Sequence, residues 1–136
     1  MRQPTFAPLP DTPDMLTTSQ LLEKKCVPTT VALTGAEITA YLPAVAGWQR
    51  DAQHHGQRII KRFDFKNYYE TLAFINAIAY VVHAEDHHPE LTVTYNHCQV
   101  AFDTHSVNGG QGGLSENDFI CAVKVDAIFQ QSFARG

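Results

Sequence analysis

The sequence predicts an α+β domain of two layers, a four-stranded antiparallel sheet with helices on one face, in the order α-β-β-α-β-β-α. Three observations predict it. Between Asn67 and about Ala84, Leu72, Ile75, Ala79 and Val82 recur as one helical stripe, widened by Phe74, Ile78 and Val81. Leu91, Val93 and Tyr95 alternate with Thr92, Thr94 and Asn96, the period of two expected of a strand. Hairpin-type connections between successive strands imply antiparallel pairing, and such a sheet buries its apolar face beneath helices.

The elements follow in order. Residues 1–30 read as an irregular leader punctuated by Pro4, Pro8, Pro10, Pro13 and Pro28, with a short helix between Thr17 and Lys25. Residues 31–136 form the domain, whose first element starts near Leu33. Thr34 and Glu37 make a capping box, Ile38, Leu42 and Val45 follow at near-helical spacing, and Gly47 ends the helix. Trp48 opens an extended run to Gln53, and His54-His55-Gly56-Gln57 is a turn. Arg58 to Phe65 is the second strand of a hairpin, with Ile59, Phe63 and Phe65 on one face. After the long helix, Pro89 forces His88 into extended backbone. Tyr95 is a core residue of the third strand, Val100 and Phe102 open the fourth, and that strand ends near His105. A glycine-rich loop runs from Asn108 to Gly113. Ser115 and Asp118 cap the last helix, which turns Phe119, Ala122, Val123 and Ala127 to the core.

Size and composition narrow the function. A chain of 136 residues makes one domain able to bury roughly two thirds of its unfolded surface, so disulfide staples are not required. The net charge of -4, with acids and bases interspersed, argues against a nucleic-acid-binding surface. Cys26, Cys98 and Cys121 are odd in number and widely spaced, which excludes a disulfide framework or zinc knuckle and fits reduced thiols in a cytoplasm. No stretch approaches the ~20 apolar residues of a membrane span.

The residues that can carry chemistry are concentrated in His83-Ala84-Glu85-Asp86-His87-His88-Pro89-Glu90, with Thr104-His105 and Asp118 further on. A helix end, a strand end and a loop can meet at one rim of a small sheet. Imidazoles gathered there exchange protons near neutral pH, because histidine's unperturbed pKa is about 6.5. Taken singly, a histidine at a helix end is a cap or a solvated side chain, and Asp118 is a helix cap. His54 and His55 belong to a turn and receive no role. A metal site is a rival: His83 and His87 are four apart, and His105 with Glu85 or Asp86 can complete a set for a hydrolase. Ala84 replaces the glutamate of HExxH, so the expectation is no metal.

Taken together, His87-His88-Pro89-Glu90, then Tyr95, then Thr104-His105 and Gly112-Gly113-Leu114-Ser115-Glu116-Asn117-Asp118 resemble the pterin-4a-carbinolamine dehydratases, over roughly Leu33 to Phe129. Gly47-Trp48 and Phe63-Asp64-Phe65 resemble that family's first hairpin. The resemblance implies the same four-stranded sheet, a homodimer or homotetramer, and loss of water from 4a-hydroxytetrahydropterin to give quinonoid dihydropterin, the step that recycles the cofactor of aromatic amino-acid hydroxylases. The pterin is then the substrate and no cofactor is needed. Such a family member can alternatively act as an oligomeric, coactivator-like partner. His88 and His105 are expected near the departing hydroxyl, with His87 as the other proton-transfer group. Asp118 would orient an imidazole, and Glu90, beside Pro89, would meet the amino-pyrimidine edge of the pterin. The sequence departs from the family pattern in two places. His83 stands where an acidic residue is usual, and the segment from Ser106 to Gly113 is longer than the usual turn.

Overall fold

The computed structural model describes residues 16–134; the rest of the leader and residues 135–136 lie outside the described residues. The elements are α1 (Thr18–Leu22), α2 (Gly35–Tyr41), β1 (Gln49–Arg50), β2 (Ile59–Asp64), α3 (Tyr68–Glu85), β3 (Glu90–Val93), β4 (His97–Phe102) and α4 (Glu116–Ser132). The strands form one antiparallel sheet in the order β1-β2-β4-β3. The predicted order is therefore present, and α1 is the short helix expected between Thr17 and Lys25.

Local chemistry explains the boundaries. Thr17 and Thr34 each build a capping box, with Gln20 and Glu37 as the reciprocal partners. The helix expected to reach Gly47 stops at Tyr41, and a single 3-10 turn carrying Pro43 follows, because proline supplies no N–H for the helical ladder. The run from Trp48 to Gln53 pairs only at Gln49 and Arg50; Asp51 then caps a turn through Gln53 N and holds His54 Nδ1 at 2.9 Å.

On α3 the residues that bury are Thr71, Phe74, Ile78, Val81 and Glu85. The stripe expected to lead is only partly buried at Ile75 and Val82 and exposed at Leu72 and Ala79. The helix is apolar over such a wide arc that spacing alone does not decide which edge meets the sheet. Ile75, Ala79 and Val82 instead line an open groove with Leu91 of the edge strand β3. Tyr95 is a second correction. Strand β3 ends at Val93, Thr94 N–H bonds His97 O in a tight turn, and Tyr95 is 65% exposed, stacked on Tyr68. Ala127 also faces solvent, whereas Phe119, Ala122 and Val123 are buried as expected.

The core fills the space between the sheet and α3 and α4. Phe63 meets Phe74 at 4.9 Å and Phe129 at 5.0 Å, and Trp48 leans on Phe63 and Phe102. Such pairs add about 0.5–1.5 kcal/mol each beyond the area they bury. Trp48 Nε1 and Lys61 Nζ both donate to Asp126, fastening the first hairpin to α4. Phe102 at the end of β4 is fully buried, which sets the depth of the residues that follow it.

Candidate active site

Three chain segments leave the core at one rim. The first is the C-terminus of α3. Asp86 takes the left-handed conformation (φ 49°, ψ 46°), which aspartate tolerates better than most residues, and this reverses the chain. His87 is thereby turned inward, its ring parallel to Phe102 at 5.9 Å. The second is the stretch after β4. Thr104 pairs with Gly113 across the glycine-rich loop, so that loop is clipped shut rather than open. A Cβ at Gly113 would lie 2.6 Å from Asn108 Nδ2, so any larger residue here must displace the Asn108 amide. The third is the first turn of α4, where Ser115 caps the helix.

Asp118 joins them. It is fully buried, yet every side of its carboxylate is satisfied. Its Oδ1 lies 2.6 Å from His87 Nε2. Its Oδ2 accepts from Thr104 Oγ1 at 2.8 Å and from Ser115 N–H at 2.9 Å. The Thr104 and Ser115 hydroxyls are themselves 2.7 Å apart. An ionised carboxylate can only accept, so Nε2 of His87 carries the proton in this contact and Nδ1 is the nitrogen left for exchange. Asp118 is thus both the cap of α4 and the group that orients His87.

Above this floor lies a cavity of about 380 Å³ whose lining includes His87, His88, Thr104 and His105, so the three histidines named from sequence share one hollow. That volume falls in the range of about 300–1,000 Å³ usual for small-molecule sites. The histidines are not equivalent. The His87 side chain is 12% exposed, that of His88 72% and that of His105 87%. His88 and His105 each stand 3.7 Å from a neighbouring carboxylate, Asp86 and Asp103. Glu90 and Pro89 are placed elsewhere. Glu90 pairs with Arg58 at 3.4 Å, and Pro89 lines the groove between α3 and β3. His83 lines that same groove and not the cavity of His87 and His105, so the metal set proposed for a hydrolase does not assemble. Among the described residues no group of three or more His, Cys, Asp or Glu side chains is arranged to hold a metal ion.

Sequence reasoning missed the fourth wall. Cys26, Val27, Pro28 and Thr29, at the end of the leader, line the cavity. Nothing in their composition marks them as site residues. Two other cysteines are poor nucleophiles: contact with Cys26 and burial push the Cys121 thiol far up, and burial pushes Cys98 up to about 11.

The decisive comparison is with the family model for pterin 4 alpha carbinolamine dehydratase, which matches residues 31–128. The chain belongs to that family. Members of the pterin carbinolamine dehydratase family with provisional names include one from Bdellovibrio bacteriovorus, 56% identical over 120 residues, covering 88% of this chain and 97% of that protein. Another, from Nitrosospira multiformis, is 49% identical and covers 84% of this chain and 96% of its own. Among solved structures, a transcriptional coactivator/pterin dehydratase from Brucella melitensis matches with a TM-score of 0.63 at 33% identity, over 71% of this chain and 97% of that one. Family membership makes this chain a dehydratase, and its α+β fold is the one the resemblance implied. No helix among the described residues is long and apolar enough to cross a membrane.

Proposed function

We propose that the chain removes water from a 4a-hydroxytetrahydropterin, giving quinonoid dihydropterin, by histidine acid–base catalysis in the cavity above Asp118. The observation that carries this reading is a buried, oriented imidazole, His87 on Asp118, opening into the same hollow as two solvent-facing imidazoles, His88 and His105. The reaction breaks the C4a–O bond and the N5–H bond and forms C4a=N5. Hydroxide is a poor leaving group, so an acid must protonate the departing oxygen while a base takes the N5 proton. Each such transfer typically contributes 10²- to 10⁴-fold.

In this reading His87, fixed at Nε2 by Asp118, exchanges its proton through Nδ1, while His88 and His105 at the rim serve the hydroxyl and return protons to solvent. In this reading the product is the form that a reductase returns to the tetrahydropterin used by aromatic amino-acid hydroxylases, and the chain serves pterin recycling in a cytoplasm. The exposed edge of β3 and the apolar groove beside it support assembly as a homodimer or homotetramer, since an open edge strand is a template for pairing.

The roles of the rim histidines are tested with His88→Ala and His105→Ala, made singly. Stopped-flow absorbance of carbinolamine decay should show kcat reduced roughly 10- to 100-fold in each, with the melting temperature unchanged because both side chains face solvent. Wild-type rates in both variants would remove the rim histidines from the mechanism.

A further inference from the structure

The end of the leader is fastened to the molecule at points that adjoin the site residues. Near one end, Lys124 Nζ donates to Lys24 O at 2.6 Å, and Lys24 pairs with Glu116 at 2.6 Å. Cys26 N–H donates to Glu85 Oε1 at 2.8 Å, and Glu85 lies two residues before His87. Asn117, the neighbour of Asp118, brackets Val27: its Oδ1 accepts from Val27 N–H at 3.1 Å and its Nδ2 donates to Val27 O at 2.7 Å. Ser106, the neighbour of His105, donates to Thr29 O. Each segment that carries a site residue therefore also carries one fastener for the strap.

The fasteners are not casual surface contacts. Asn117 is buried in the first turn of α4, although asparagine is a poor helix former. Both polar ends of its amide are used on the same residue of the strap, which fixes the position and tilt of that peptide as pairing to a neighbouring strand would. Glu85 is also buried. Burial raises its pKa, but Lys124, Cys26 N–H and Lys25 outweigh that effect and hold the carboxyl below its ordinary value. It stays ionised and bonded to both Lys124 and the strap.

We propose that residues 26–29 are a fixed wall of the pterin cavity that sets how tightly substrate is held, and that Asn117 is the positioning residue for this wall. The proposal rests on the dehydratase reading and deepens it. One turn of α4 fastens two lining residues of the cavity: Asp118 aligns His87, and Asn117, one residue earlier and itself in the lining, aligns Val27. The width of the gap that admits the ring is then set by a rigid helix and not by the leader. A strap released from Asn117 keeps its chemistry-bearing neighbours in place but no longer closes on the substrate.

The test is a split between KM and kcat. Asn117→Ala should raise KM about tenfold while kcat stays within about twofold. Asn117→Asp, which keeps the acceptor for Val27 N–H but sets a carboxylate oxygen against Val27 O, should raise KM at least as much as Ala. Ser106→Ala frees the Thr29 end from an exposed position and should raise KM about threefold, which keeps the test decisive if Asn117→Ala does not fold. Calorimetric titration with a stable 7,8-dihydropterin should weaken in the same order. KM and dihydropterin affinity within twofold of wild type in the folded variants would overturn the proposal, as would a loss of kcat with KM unchanged. If wild type both binds and dehydrates while the variants match it, only the strap is refuted. If wild type neither binds dihydropterin nor speeds carbinolamine loss, the dehydratase reading fails and the strap's role fails with it.

Discussion

His87→Gln is expected to lower kcat/KM for carbinolamine dehydration by roughly 10²- to 10⁴-fold, about 3–5 kcal/mol of barrier, with little change in thermal stability. Glutamine can place an amide N–H on Asp118 Oδ1 where His87 Nε2 now donates. The buried carboxylate then keeps all its donors, which separates this variant from one that merely strands a charge. What glutamine lacks is a nitrogen that takes and releases a proton. Rapid kinetics and a denaturation curve on the same preparation check the pair of expectations. Wild-type kinetics would show that His87 is only a structural partner of Asp118 and Phe102.

Asp118→Asn should also reduce kcat by on the order of 10²-fold or more, for a different reason. The Oδ2 position accepts from both Thr104 and Ser115 N–H, so the amide oxygen must occupy it. The amide NH₂ then faces His87 Nε2 and forces that nitrogen to accept. The proton moves to Nδ1, and the imidazole meets the cavity in the wrong tautomer. The helix cap survives, so stability should fall little. Asp118→Ala removes the acceptor as well and should cost about 1–3 kcal/mol for each buried donor left without a partner. Rate and urea denaturation therefore separate the two roles of this residue: Asn should affect mainly the first and Ala both. Equal rates in wild type and Asn would show that the carboxylate does no more than cap α4.

The parts of the fold that were legible in the sequence are those where one local rule acts alone. Three capping boxes sit at Thr17, Thr34 and Ser115, and the latter two were readable because hydroxyl and partner lie three residues apart in the chain. The alternation of β2, with Ile59, Phe63 and Phe65 inward, survives because one face meets helices. Where two rules competed, sequence reading erred. Helix α3 is apolar over too wide an arc for periodicity to choose its buried edge, and the packing partner chose Phe74, Ile78 and Val81. Tyr95 continued a period of two beyond the residue where Thr94 turns the chain.

The site divides the same way. His87, His88, His105 and Asp118 were readable as a group through the family pattern, and the structure sets them round one cavity or beneath it. The different depths of the histidines were not readable, because they follow from Asp86 adopting a left-handed cap and from the stacking on Phe102. Glu90, expected at the amino-pyrimidine edge of the pterin, pairs with Arg58. The strap was invisible because its contacts join residues 59 to 100 positions apart.

The most direct measurement is the decay of a synthetic 4a-carbinolamine followed by stopped-flow absorbance, with and without the wild-type chain. The compound loses water unaided, so only acceleration over buffer counts. A histidine-lined pterin pocket requires a rate that rises with protein concentration and saturates with substrate. A decay trace that folded protein leaves identical to buffer would contradict it.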